Sequence, residues 1–317
     1  MKPERLNLLA DVAEMYYIQG EDQSAVAQKF GVTRSMVSRM LNDARKQGIV
    51  KISIDRPINQ NHIIQEALCK KYGLHRAIVV EQPGNIALLT SIGKAAAHAI
   101  GQQLHAGHLL GVSWGTAVSA TVDEFHSELP IPGVRIVQLL GSLGARIREH
   151  HGISIVNRLA DKISGEGIYL NAPVLVENAE LAKVLKESKG IHEALSLGEQ
   201  ADMAVLGIGS VEPTVSPYII GGYFPRQEME AMYRNGAVGD VCGLFFDING
   251  RAMNSPLQDR VIGIGVEGLK KIPLRIGIAG GTEKVRPVIG ALRGNYVNTL
   301  ITDSVTAQTV LDFESKE

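Results

Sequence analysis

Two cysteines, Cys69 and Cys242, are all that the 317 residues hold, and they stand far apart in unrelated surroundings. That scarcity excludes a disulfide framework and argues against a thiolate metal site, so both read as free thiols of a reducing compartment. Aromatic residues are sparse too, at 5% of the chain with a single tryptophan, Trp114. An excess of one charge is also missing: 32 Lys and Arg face 33 Asp and Glu. A chain so balanced is no polycation, and any attraction to nucleic acid must come from a local patch. No apolar run approaches the ~20 residues that a membrane-spanning helix needs. The opening stretch, MKPERLNLLADVAEM, carries acids inside its apolar pattern and lacks a small-residue cleavage site, unlike a secretory signal. These absences predict a cytoplasmic protein without a membrane partner.

What is present points to an α/β chain. Glycine occurs 34 times and 45% of residues are hydrophobic, a composition suited to buried strands joined by tight turns. The length allows two domains and a core that needs no staples.

Three helical segments open the chain. Leu9, Val12, Ala13 and Tyr16 follow the i, i+3, i+4, i+7 spacing of one buried helix face, and Gly20 ends that helix. A short second helix spans Gln23 to Phe30, with Val26, Ala27 and Phe30 inward. Thr33 is placed to cap a third, in which Val37, Met40, Leu41 and Ala44 repeat the spacing before Gly48 stops it. Two helices crossing steeply need a small residue at their approach, here Ala27, and a turn residue tolerant of positive φ, here Gly31. The pattern is that of a helix-turn-helix.

The third helix carries a second face. Ser35, Ser38, Arg39 and Asn42 share one side, opposite the packed stripe, with Arg34 beside them. From Thr33 to Arg56 six basic residues stand against two acids, an excess that a phosphate backbone attracts. A solvated helix face would also be polar, but spacing, turn glycine and charge together favour a face that reads double-stranded DNA in the major groove. The candidate contacts are Gln23, Ser24, Thr33, Arg34, Ser35, Ser38, Arg39, Arg45 and Lys46. VKISID, from Val50 to Asp55, alternates as a short strand or wing would.

RPINQN, residues 56 to 61, is a connector rich in Pro and Asn. It divides a DNA-binding domain over 1–55 from an α/β domain over 56–317. Beyond it, apolar β-rich runs alternate with helical stretches, which predicts a Rossmann-like, mostly parallel sheet covered on both faces. Ligands bind beyond the carboxyl ends of such strands, and three ends stand out. GVSWGTAVS passes from strand to helix through Ser113 and Thr116, whose helix start suits an anion or sugar hydroxyls, though a plain turn and cap would look the same. GIAGGTEKV places Lys284 at the start of a helix, where a cation opposes the helix dipole unless an anion lies near. Glu283 could be that anion, but the paired glycines favour a ligand. GDVCGLFFDING sets Asp240 in a glycine-flanked turn before a β-like run, where it either bonds sugar hydroxyls or satisfies loop amides. VLGIGS is too short for a dinucleotide fingerprint, and the adjacent His150 and His151 form no metal pattern and read as ordinary helix-start residues. Neither cofactor nor metal is implied, and Trp114 walls a pocket or simply packs.

These motifs, with SRMLNDARKQGIVKISI, VQLLGSLG, LNAPVLVEN and GNYVNTLITD, resemble the SorC family of bacterial sugar-responsive transcription regulators over nearly the whole chain. The resemblance implies a winged-helix-like DNA-binding head and an effector-binding, oligomerising domain similar to glucosamine-6-phosphate deaminase and ribose-5-phosphate isomerase. It implies a homo-oligomer, usually a tetramer, that controls a carbohydrate catabolic operon in response to a sugar or sugar phosphate. It carries Gly111, Ser113, Trp114, Gly115, Thr116 and Ala117 into the effector site, with Gly141, Ser142, Asp240 and Lys284. Asp240 would bond sugar hydroxyls and Lys284 would neutralise an anionic group. Some relatives have Lys or Arg where this chain has Leu140, which leaves an unphosphorylated sugar or polyol open. The competing expectation is an isomerase- or deaminase-like enzyme with an accessory DNA-binding head; it needs a general base, and only Asp240 offers itself, so no catalytic residue is assigned.

Overall fold

The structure is a computed structural model that describes residues 3–50, 59–81, 87–127, 129–144 and 150–313. The chain divides into two compact units, Met1–Pro57 and Ile58–Glu317.

Among the described residues, the small unit holds three helices, α1 (Pro3–Tyr17), α2 (Gln23–Phe30) and α3 (Arg34–Lys46). Their periodic apolar residues meet as expected: Leu9, Val12 and Ala13 pack with Val26, Ala27, Val37, Leu41 and Ala44. The helix starts are chemically fixed. Asp22 accepts from the amides of Ser24 and Ala25 at 2.7 and 2.9 Å, and the Met36 amide donates to Thr33 Oγ1 at 3.3 Å. Gly31 closes α2 at φ 65°, a left-handed conformation that glycine adopts without steric cost. The expected strand or wing beyond Val50 lies outside the described residues.

Among the described residues, the large unit holds nine strands: β1 (Arg76–Val80), β2 (Leu109–Val112), β3 (Arg135–Gln138), β4 (Glu166–Ile168), β5 (Met203–Ser210), β6 (Ala237–Val241), β7 (Leu244–Asp247), β8 (Leu274–Ile278) and β9 (Thr299–Asp303). Seven run parallel in the order β1-β9-β8-β5-β2-β3-β4. Helices α4 (His62–Tyr72), α5 (Leu88–Gln103), α6 (Thr116–Glu124) and α7 (Gly152–Ile163) are followed by others, among them Val285–Arg293 and Ser304–Asp312.

The strands other than the edge strand β4 bury both faces, as a covered parallel sheet requires. Within β1, Ile78 and Val80 join one core layer with α5, α6 and α7 residues, while Ala77 and Val79 join the other with Leu68 and the helix Val285–Arg293. The sequence reading found the parallel strands other than β4. It also missed that GDVCGLFFDING forms an antiparallel hairpin, β6–β7, rather than a turn leading into one β-like run.

β5 explains where that hairpin goes. Its first residues pair in parallel with β2 and β8, and its last three, Ile208 to Ser210, pair antiparallel with β6. From β2 the chain proceeds to β3 on one side; from β5 it passes through the hairpin to β8 on the other. The carboxyl ends of β2 and β5 therefore flank a topological switch point, where open α/β sheets bind ligands.

The start of α6 is held there by close helix packing. A Cβ on Gly93 of α5 would lie 2.7 Å from the Ala120 carbonyl oxygen of α6, so the two backbones approach only because the side chain is absent. Gly93→Leu is expected to lower the stability of the α/β unit by about 1–3 kcal/mol through overpacking, read as an earlier urea transition by circular dichroism. An unchanged midpoint would show that α6 is not held by this contact.

Candidate functional site

On the small unit, Ser24, Thr33, Arg34, Ser35, Arg39, Arg45 and Lys46 are exposed, while Gln23 and Ser38 are half-buried. The Thr33 and Ser35 hydroxyls share a hydrogen bond at 3.0 Å, and the Arg45 guanidinium donates to Asn42 Oδ1 at 2.7 Å. Arg5 of α1 pairs with Asp43 of α3 at 3.5 Å. A face of this kind, on the second helix of a crossed pair, has the shape and charge that enter a major groove.

The α/β unit contains a cavity of about 270 Å³ at the switch point. The loop after β2 supplies Ser113 to Ala117, β5 supplies Gly207 to Gly209, β6 supplies Asp240, and the loop after β8 supplies Glu283 and Lys284. Leu88, Leu140 and Ile278 form apolar walls, and Tyr218 and Tyr223 close another side.

Asp240 is the centre of its polarity. The carboxylate is 5% exposed; its Oδ2 accepts the Tyr218 hydroxyl at 2.7 Å and the Gly243 amide at 3.0 Å. Oδ1 has no hydrogen-bond partner among the described residues. Cys242 and Gly243 have φ of 53° and 69°, the two positive angles of a tight hairpin turn, and that turn aims the Gly243 amide back at the carboxylate. Tyr218 is held by rings: Trp114 lies edge-on at 5.4 Å and Phe224 at 4.4 Å between centroids. Burial pushes the Asp240 carboxyl above the usual carboxylate range, against the pull of Tyr218, Gly243 and the Lys284 charge. Burial, then the Asp240 charge, also raises the Cys242 thiol far above its ordinary value, so this cysteine is an inert wall.

Lys284 ends a short 3-10 turn, Thr282–Lys284, and its ammonium donates to the Ile208 carbonyl at 3.1 Å. Burial lowers its ammonium below the ordinary lysine value despite the nearby charges of Asp240 and Glu283. The loop before it is anchored by Asp303, which accepts from Gly281 N at 3.1 Å and from Thr306 N at 2.9 Å. At the other end of the cavity α6 begins at Gly115, φ 134°, and no side chain caps it. The first-turn amides of Thr116 and Ala117 can therefore meet an anionic group.

Of the residues singled out in the sequence, Ser113, Trp114, Gly115, Thr116, Ala117, Asp240 and Lys284 line this cavity, and Gly111, Gly141 and Ser142 are not among its lining residues. Gly111 leaves room for Leu139, 2.9 Å from where its Cβ would be. A Cβ on Gly141 would stand 2.6 Å from the Pro173 carbonyl oxygen, and the Gly141 carbonyl accepts the Trp114 indole N–H at 3.2 Å. Ser142 accepts from Gln138 Nε2 at 3.2 Å. Ser113 is buried rather than exposed, and its hydroxyl accepts the Gly207 amide at 2.9 Å, tying β2 to β5. Asp240 sits within strand β6, not in a turn. Tyr218, Tyr223, Leu88 and His150 were missed or read as ordinary; His151 beside His150 is buried, its Nε2 3.3 Å from the Tyr223 hydroxyl. No group of three or more His, Cys, Asp or Glu able to hold a metal occurs among the described residues, and no described helix is long and apolar enough to cross a membrane.

Residues 56–312 match a family model described as "Putative sugar-binding domain". The deoxyribonucleoside regulator of Bacillus subtilis is 29% identical over 98% of this chain and 99% of its own length. The transcriptional regulator LsrR of Escherichia coli is 30% identical over 96% and 94%. The full-length sorbitol operon regulator SorC of Klebsiella pneumoniae superposes with a TM-score of 0.73 at 28% identity, covering 97% of this chain and 99% of that one. The chain belongs to the SorC family of sugar-responsive transcriptional regulators. As a SorC-family member it is a DNA-binding transcriptional regulator under effector control, with a helical N-terminal domain and a mostly parallel α/β sugar-binding domain.

The raised Asp240 carboxyl fixes a sign. A group whose folded pKa exceeds its unfolded one leaves stability intact below the unfolded value, and stability declines as pH rises through the window between the two. Asp240→Asn removes that decline. Its melting temperature is expected to exceed that of the native chain at neutral pH, with the difference shrinking toward acid. A difference that stays constant with pH would show that Asp240 is not the strained group.

Proposed function

We propose that this regulator reads double-stranded operator DNA with the exposed face of α3 and binds a sugar or sugar phosphate in the α/β cavity, which resets its operator affinity. The observation that carries the effector half is the buried Asp240 carboxylate in the wall of a sugar-sized cavity, one oxygen of which has no hydrogen-bond partner among the described residues, because a buried acceptor left unpaired is costly and a ligand hydroxyl would relieve it. The uncapped start of α6 and the Lys284 ammonium suit an anionic substituent at either side. The apolar Leu140 limits how much anionic charge the site accommodates. The relatives' names, a sorbitol operon regulator and a deoxyribonucleoside regulator, agree with a carbohydrate-derived effector and a catabolic operon as target.

In this reading the DNA-binding domain covers 1–55, with a winged-helix-like form, and the effector domain covers 56–317, with a fold similar to glucosamine-6-phosphate deaminase and ribose-5-phosphate isomerase. The chain works in the cytoplasm as a homo-tetramer, so that paired reading heads meet paired half-sites. Coupling between ligand and operator of about 1–3 kcal/mol is enough for a useful switch.

The test is a thermal-shift screen of sugars and sugar phosphates followed by operator gel shifts. Arg34→Ala and Arg39→Ala should each weaken operator binding by about 1–3 kcal/mol while leaving sugar-induced stabilisation intact. Lys284→Ala should keep operator binding and lose the effector response. Normal operator binding by both arginine variants would remove α3 from the groove, and an unchanged response in the lysine variant would remove Lys284 from the cavity.

A further inference from the structure

Four glycines line the cavity: Gly115, Gly207, Gly209 and Gly280. Three have reasons that lie in the protein. Gly115 has φ 134°, a conformation L side chains rarely adopt. A Cβ on Gly209 would stand 1.9 Å from Asp240 Oδ1, so the carboxylate occupies the place of that side chain. A Cβ on Gly280 would stand 2.2 Å from Ile92 Cδ1 and 2.9 Å from Asp303 Oδ2.

Gly207 has no such reason. Its φ is not in the left-handed region, and its Cβ would meet the Trp114 carbonyl at 3.5 Å, Val118 Cγ2 at 3.6 Å and Ser113 Oγ at 3.9 Å, all ordinary van der Waals contacts. Its hydrogen bond to Ser113 runs through the backbone amide, which any residue other than proline supplies. It stands in β5, in the middle of the sheet and paired with Ile278 of β8, where glycine is a poor choice because it loses the most chain entropy on folding and packs nothing. The fold would accept a methyl group here at ordinary contact distance.

Alternation supplies the explanation. Residues two apart on a strand face the same side, about 7 Å from one another. Gly209 and Gly207 are such a pair. The place beside Gly209 is taken by the Asp240 carboxylate; the place beside Gly207, between Asp240 and the start of α6, is taken by no protein atom closer than ordinary contact. We propose that Gly207 is the residue that sets effector size: the carbon chain of a sugar held by Asp240 crosses β5 over Gly207 on its way to the amides of Thr116 and Ala117. This rests on the effector reading above and adds a ligand class, an extended chain of several hydroxylated carbons that spans both ends of the cavity.

The experiment compares the full-length native chain with Gly207→Ala, Gly207→Val and a control, Gly190→Ala, whose Cβ would meet nothing within 4 Å and which lies outside the cavity lining. The probes are D-glyceraldehyde 3-phosphate, D-ribose 5-phosphate, D-fructose 6-phosphate, D-sorbitol 6-phosphate and their unphosphorylated forms, measured by thermal shift and calorimetry. Every probe that binds the native chain is expected to bind Gly207→Ala about tenfold or more weakly, and Gly207→Val not at all. Gly190→Ala should bind as the native chain does, and without sugar Gly207→Ala should melt no lower than the native chain. Equal binding by Gly207→Ala overturns the assignment while leaving the effector reading in place. A lower melting temperature for Gly207→Ala without sugar also overturns it, because the glycine would then serve the fold. If no probe binds the native chain, the effector reading itself falls and takes the assignment with it.

Discussion

A carboxylate that has left water needs partners from several directions, and the α/β unit is arranged around that need at Asp240. Gly209 has no side chain because the carboxylate lies where one would be. β5 leaves its parallel neighbours at Ile208 so that β6 can lie antiparallel and present Asp240 to the cavity. The β6–β7 turn adopts two positive φ angles, one of them on a non-glycine residue, Cys242, and so returns the Gly243 amide to Oδ2. The aromatic group around Tyr218 fixes the second donor. None of these features would be needed by a sheet that only had to be stable, and an αL cysteine and a partly satisfied buried acid both cost stability. Local conflict with the rules of folding is where a functional site is expected.

The small unit was legible almost residue by residue because its information is periodic. Apolar positions at helical spacing, a Thr at the start of α3 and a glycine between the two helices all act locally, so α2 and α3 fall where the sequence reading placed them; the Asp22 cap of α2 was not read. The parallel strands other than β4 were legible for the same reason, as short apolar runs between helical patterns. The cavity was only half legible. Loops after β2 and β8 advertise themselves by small residues at strand ends, but Tyr218 and Tyr223 come from a stretch without periodic pattern, and His150 from a helix approach. Only three-dimensional closure brings them to the site.

The misplacement of Asp240 has a physical cause. Glycines on both sides of G-D-V-C-G look like loop punctuation, yet each serves packing or a turn. A Cβ on Gly239 would stand 2.6 Å from the Gly209 carbonyl and 2.7 Å from Pro287 Cβ, and Gly243 completes the hairpin turn. Glycine marks close approach of backbones as readily as it marks loops, and sequence alone does not separate the two. The same ambiguity covers Gly111 and Gly141, whose missing side chains make room for Leu139 and for the Pro173 backbone.

The two oxygens of Asp240 are placed differently. Oδ2 is held within the fold by Tyr218 and Gly243; Oδ1 has no hydrogen-bond partner among the described residues. In the proposed reading, a ligand hydroxyl that reached this carboxylate would lower the penalty of the buried charge in the folded state with no counterpart in the unfolded one, which would link ligand binding to stability. Because the Tyr218 hydroxyl shares that carboxylate, the segment bearing Tyr218 belongs to the same balance. A ligand can shift a conformational equilibrium only by its differential affinity for the two states. A pre-oriented acid with one unsatisfied oxygen concentrates that difference in a single hydrogen bond. The α3 face is set locally: its helix cap, its core and the polar bonds named above lie within the small unit.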